Sequence, residues 1–238
     1  ASTAAIVALM AALSPFAVWY GQELRNYSFL LLCSALCLLA LERMRNGTPG
    51  LTGLAGFVAA AWLGLLANLT FLLFLLGAGL ATVIAAPGHR LRNLLWISVA
   101  AILVLLLSLP WISTFVTDME PQRLVVERPV WDEAPLRGET TFSPLAIPYT
   151  FYSLLGGYSL GPSLADLHRG PGQAIREHLP ILVIASVVFV CAGILGWLGL
   201  DGRRRLEIAI ILLVVLGLAS YLAIKNFKVY NVRYVSML

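Results

Sequence analysis

The sequence predicts an all-α protein, a polytopic bundle of transmembrane helices with one long extramembrane loop. Two observations predict it. Hydrophobic residues make up 60% of the 238-residue chain and charged residues only 12%, a balance that excludes both a soluble globular domain and a disordered one. The apolar residues are also gathered into runs of roughly the twenty residues that a helix needs to cross the hydrocarbon core.

Taken in order, the runs predict spans over Thr3–Leu13, Tyr27–Leu41, Leu51–Ala67, Leu69–Ala86, Leu94–Ile112, Pro180–Leu200 and Leu206–Ile224. A further span is expected to open near Val232, for six to eight in all. Asn68 and Thr70 mark a tight hairpin between the third and fourth. Residues 1–238 form a single transmembrane domain, into which a loop over residues 113–179 is inserted. The opening at Ala1 inside an apolar run, and the close at Leu238, are expected to be those of a piece of a longer membrane protein.

The arginines orient the spans. Arg43 and Arg45, then Arg90 and Arg92, then Arg203, Arg204 and Arg205 fall in three short loops. An even number of spans separates each cluster from the next, so all three can face the cytoplasm together. The opposite side then receives the Glu23 segment, the loop Ser113–Leu179 and the stretch Lys225–Arg233. Basic residues confined to short loops between spans make no nucleic-acid footprint.

The long loop holds eight carboxylates, from Asp118 to Glu177, together with five arginines. Loops of this length in a compact fold usually carry function. Its stretch Ile147–Tyr158 is apolar and aromatic, yet too short and glycine-broken to span, and is expected to lie in the interface as an amphipathic or re-entrant element. Beyond it, Gly156–Leu164 is expected to form a turn that uses φ > 0 and leads into a helix capped by Ser163. That segment lacks the spacing of a phosphate-binding loop.

Cys33, Cys37 and Cys191 all lie within spans and are read as packing residues. His89, His168 and His178 show no metal-ligand pattern, and the three Asn-x-Ser/Thr matches at Asn26, Asn46 and Asn68 are taken as chance.

Two constellations carry chemistry. The first is Trp19-Tyr20-Gly21-Gln22-Glu23-Leu24-Arg25-Asn26-Tyr27. Ionisable groups at a membrane boundary are costly, and by default they suggest a site. Glu23 could act as general base, orient an acceptor hydroxyl, or ligate a divalent metal; no other cofactor is indicated. Arg25 could pair with Glu23 or hold a phosphate. The plainer account is aromatic anchoring and a carboxylate beside a helix start. The second constellation is Lys225, Lys228, Arg233 and Tyr234. Three cations on the side that the other loops leave poor in arginine suit a phosphate-bearing lipid; the plainer account is snorkelling helix ends.

The stretch Ser14-Pro15-Phe16-Ala17-Val18-Trp19-Tyr20-Gly21-Gln22-Glu23-Leu24-Arg25-Asn26-Tyr27 resembles the S-P-x-x-x-W-Y-S-Q-E-x-R-x-Y motif of bacterial GT-C glycosyltransferases. These are family-39-like membrane enzymes related to protein mannosyltransferases and aminoarabinose transferases. The run Tyr158–Ser163 and the pair Arg233-Tyr234 are similar to shorter features of the same group. Gly21 stands where serine is common, and Asn26 where an apolar residue is usual.

The resemblance implies an enzyme of the bacterial inner membrane whose site faces the periplasm. It would take a sugar from a polyprenyl-phosphate donor and pass it to a lipid, glycan or protein acceptor. The family's principal carboxylate lies in a first outer loop that this chain does not include, and Glu23 matches a second acidic position that supports the site or a metal. Glu23 and Arg25 are then the catalytic candidates, with Gln22, Tyr27, Lys225, Lys228, Arg233 and Tyr234 around the substrate. On the same expectation the piece would be inactive without that loop. A transporter or flippase for a lipid-linked or sugar substrate would use the same charges, but would favour paired broken helices. A non-catalytic membrane subunit would instead use the long loop for docking.

Overall fold

A computed structural model describes residues 27–46, 50–118, 146–156, 161 and 171–224, all of it helix and turn, with no strand among them. The helices are α1 (Tyr27–Asn46), α2 (Leu51–Ala67), α3 (Phe71–Ile84), α4 (Arg90–Asp118), α5 (Ala146–Gly156), α6 (Pro171–Glu177), α7 (Leu179–Gly199) and α8 (Gly202–Ile224). A 3-10 turn, Pro87–His89, joins α3 to α4. Among the described residues, three helices are long and apolar enough to cross a membrane: the Arg90–Ser113 part of α4, α7 and α8. The chain is therefore built as a membrane protein. The apolar helices α2 and α3 are shorter, at 17 and 14 residues. The expected spans at Thr3–Leu13 and near Val232 lie outside the described residues.

Helices α1 to α4 and α8 form the bundle, in which α3 lies against α8, α1 against α2, and α4 against both α2 and α3. On α1 the buried residues include Leu30, Cys33, Cys37, Leu41 and Met44, a stripe at helical spacing. It meets Leu54, Phe57, Val58 and Ala61 of α2 in one apolar core. Leucines on the other side of α1, such as Leu32, are exposed.

Small residues set how closely the helices approach. At Gly77 of α3, a Cβ would stand 3.2 Å from the Cα of Ile211 and 3.5 Å from the Val214 Cβ of α8. At Gly64 of α2, a Cβ would enter the ring of Phe71, which is fully buried at the start of α3. Phe71 stacks in turn on Phe74, with ring centroids 5.2 Å apart and planes tilted by 32°. The hairpin between α2 and α3 is closed by Asn68, whose Oδ1 accepts from the Thr70 N–H at 3.0 Å and from the Thr70 hydroxyl at 2.8 Å. This is the local side-chain turn that Asn favours.

Helix α7 is apart from this core. Nearly all its side chains are exposed, and its principal neighbours are α5 and α6. Tyr152 of α5 meets Phe189 of α7 edge-on, with centroids 5.9 Å apart, while Leu154 of α5 rests on the main core. The loop helix thus links α7 to the bundle. Gly161, at φ +141°, sits where a Cβ would crowd Leu182 of α7 and the Tyr152 hydroxyl. The expected φ > 0 in that segment is found; Ser163 lies outside the described residues.

One expectation is corrected here. Cys33 and Cys37 are buried as read, but Cys191 is exposed on α7. A helix that buries so little of itself gives its cysteine nothing in the bundle to pack on.

The Gly64–Phe71 fit is testable. Gly64→Ala should lower stability by about 1–3 kcal/mol through overpacking. Adding Phe71→Leu should recover part of that loss, read as melting temperature of the detergent-solubilised protein.

Candidate functional site

The two charged clusters flank the described helices. Gln22, Glu23 and Arg25 lie outside the described residues, just ahead of Tyr27, the first residue of α1. Lys225, Lys228, Arg233 and Tyr234 also lie outside them, directly after the last residue of α8, Ile224. No geometry between the clusters is therefore drawn. Among the described residues no group of three or more His, Cys, Asp or Glu is placed to hold a metal ion, and Glu23, the metal candidate, is not one of those residues.

The arginine-bearing helix ends, by contrast, are described in detail. Asp201 caps α8, its Oδ1 accepting the Arg204 N–H at 2.8 Å. The Arg205 guanidinium donates to the Leu198 carbonyl at 2.7 Å, satisfying an end carbonyl of α7. Arg203 pairs with the buried Glu207 one turn on, at 3.0 Å. That pair escaped the sequence reading, although the i, i+4 spacing of Arg203 and Glu207 was the signal. The Nε and Nη2 of Arg92 and the Nε of Arg205 are buried with no hydrogen-bond partner among the described residues. This end of the structure is thus built from caps and one partly buried ion pair.

Some polar groups within the bundle are satisfied locally, whereas the Trp62 Nε1 and the Ser220 Oγ are buried with no hydrogen-bond partner among the described residues. Thr82 donates to the Ala78 carbonyl at 2.8 Å, and Ser108 to the Val104 carbonyl at 2.8 Å. Asn93 is 2% exposed, and its amide donates to the Thr82 carbonyl at 3.2 Å, bridging α4 to α3. The sequence reading assigned Asn93 nothing; its one signal was an amide in the first turn of a long apolar helix.

An apolar groove of about 480 Å³ lies between the α2–α3 hairpin and α4. Its lining includes Leu69, Leu72, Gly79, Ala101, Leu105 and Trp111. Ser108 also lines it, but its hydroxyl is already committed to Val104. Apart from Ser108 and the Trp111 indole, the side chains that line it among the described residues are purely hydrocarbon.

No protein family, curated protein or solved structure is found to match the chain.

The Asn93 bridge predicts a measurable asymmetry. Asn93→Leu should cost about 1 kcal/mol by removing an interhelical hydrogen bond. Ser108→Ala removes only a bond within one helix and should leave the melting temperature nearly unchanged.

Proposed function

We propose that this chain is part of a GT-C type membrane glycosyltransferase. It would transfer a sugar from a polyprenyl-phosphate donor to a lipid, glycan or protein acceptor at the outer face of a bacterial inner membrane. The observation that carries the reading is the Ser14–Tyr27 stretch, whose Gln22, Glu23 and Arg25 lead directly into α1. The membrane-spanning character of α4, α7 and α8 is consistent with a lipid-linked substrate.

On this reading the chain crosses the membrane six to eight times, and the arginine-bearing ends face the cytoplasm. Residues 113–179 then form a periplasmic loop that carries α5 and α6. Counting spans between arginine clusters puts Tyr27, at the start of α1, and Ile224, at the end of α8, on the same outer side. The Glu23 and Lys225–Arg233 clusters would therefore share one aqueous face.

The chemistry needs little from the protein. The donor's phosphate is already a good leaving group, so the site has to accept a proton from the acceptor and stabilise the departing charge. Glu23 accepts or orients the acceptor hydroxyl proton as its oxygen bonds to the anomeric carbon. The bond from that carbon to the phosphate oxygen breaks, and the electron pair leaves with the phosphate. Lys225, Lys228 and Arg233 receive the developing anion, with Arg25 as a further cation. Gln22, Tyr27 and Tyr234 line the substrate. Glu23 would also be the residue to hold a divalent metal.

In the full-length protein, Glu23→Gln should reduce transfer of labelled sugar from the polyprenyl-phosphate donor by roughly a hundredfold or more. Arg233→Ala should also abolish measurable transfer, with membrane insertion of both variants unchanged. Full activity in both would reject these residue roles. No donor-dependent transfer by the wild type, across several donor sugars and acceptors, would favour transport of the same lipid.

A further inference from the structure

We propose that Arg90 and Arg92, in the first turn of α4, hold the phosphate of an anionic phospholipid headgroup, and that the denser triplet Arg203-Arg204-Arg205 does not. The inference rests on the chain lying in a membrane. Neither the sidedness of its spans nor sugar transfer enters it.

By sequence the triplet is the obvious basic patch. In the structure its charges are already answered. Arg203 pairs with Glu207 at 3.0 Å, and Arg204 with Asp201 at 3.5 Å. Arg205 turns back to the Leu198 carbonyl at the end of α7, where a helix terminus favours a cation. An approaching phosphate meets Asp201 and Glu207 as well as the arginines, and the two fields largely cancel.

The start of α4 is different. No Asp or Glu occurs in the sequence between Glu42 and Asp118, so α2, α3 and the length of α4 before Asp118 supply no carboxylate. Arg90 is exposed, and neither Arg90 nor Arg92 makes an ion pair among the described residues. Arg92 is half-buried, and its Nε and Nη2 have no hydrogen-bond partner among them. These two nitrogens form one edge of the guanidinium, the edge that takes two phosphate oxygens side by side. Leaving such donors without water or a partner is costly. The long side chain removes that cost by turning outward to a headgroup oxygen.

Position selects a lipid over a free anion. The Asn93 amide, bonded to the Thr82 carbonyl at 3.2 Å, fixes this turn against the end of α3. The apolar run of α4 begins at Leu94, four residues or about 6 Å along the axis from Arg90. That is the level at which interfacial arginines reach headgroups. Beside the two arginines, Leu91, Leu94 and Leu95 are 71%, 49% and 59% exposed, so cation and apolar surface follow one another along the helix. A phospholipid presents its phosphate and its chains in the same order; inorganic phosphate matches the arginines alone.

The test is native mass spectrometry of the full chain, delipidated in detergent and given equal amounts of phosphatidylglycerol and phosphatidylcholine with identical acyl chains. The wild type should retain phosphatidylglycerol several-fold better. Arg90→Gln and Arg92→Gln should each lower that preference by about fivefold, the effect of one arginine near an anionic surface. Asp201→Asn with Arg204→Gln removes a paired arginine together with its carboxylate and should leave the preference unchanged. Arg176→Gln, which takes the same single charge from exposed α6, should also leave it unchanged. Should the half-buried Arg92→Gln variant fail to fold, the exposed Arg90→Gln carries the test. Equal retention of the two lipids by the wild type would overturn the proposal, as would a fall in either control as large as in Arg90→Gln. Displacement of the lipid by millimolar inorganic phosphate would overturn it too, by making the site one for a soluble anion.

Discussion

Within a bilayer, hiding leucines from the surroundings gains little, so helices associate through close fit. The approach of α3 to α8 at Gly77 is the contact on which the described bundle depends. A Cβ there would stand only 3.2 Å from the Ile211 Cα, so the two helices meet closely. That contact ties α8 to the α2–α3 hairpin across more than a hundred residues of chain. Gly64 does the same work locally, opening a slot in α2 for the ring of Phe71. The rest of the described architecture is hung on these two fits: α1 along α2, α4 against the hairpin, and α7 at the margin, linked through the aromatic pair Tyr152–Phe189.

The same economy explains the polar groups. Buried hydroxyls of Thr82 and Ser108 bond back to their own helices, so they ask nothing of a neighbour. Asn93 reaches across, to the Thr82 carbonyl, near the arginine-bearing end of α4. Among the described residues charge lies near helix ends, where Asp201 and Arg205 terminate helices and Arg203 partners Glu207. The described interior is a scaffold. The groups proposed to do chemistry lie beyond its ends, at the start of α1 and after α8.

Helix positions were legible because apolar run length is a direct image of bilayer thickness. Helix α2 falls on its expected bounds, Leu51–Ala67, and α7 and α8 lie within a few residues of theirs. Helix α4 begins at Arg90, four residues before the expected Leu94, because helix continues past the end of the apolar run into Arg90, Arg92 and Asn93. The apolar stretch in the long loop forms the short helix α5. What run length could not reveal is anything that depends on two helices meeting. The Gly77 crossing, the Phe71 slot and the groove lined in part by Gly79 and Ala101 read in sequence as ordinary small residues in apolar runs. The candidate site was legible only as a motif, because its residues precede α1 and follow α8 and no periodicity orders them.

The central claim is that the Glu23 and Lys225–Arg233 clusters face one aqueous compartment, opposite the arginine-bearing helix ends. Its most direct test is single-cysteine labelling in sealed, right-side-out vesicles, with Cys33, Cys37 and Cys191 replaced by alanine. Asn26→Cys and Asn226→Cys should react with an impermeant maleimide added outside. Gly88→Cys and Gly202→Cys should react only after permeabilisation. Labelling of Asn26→Cys and Asn226→Cys from opposite sides would contradict the account, because no single site could then use both clusters.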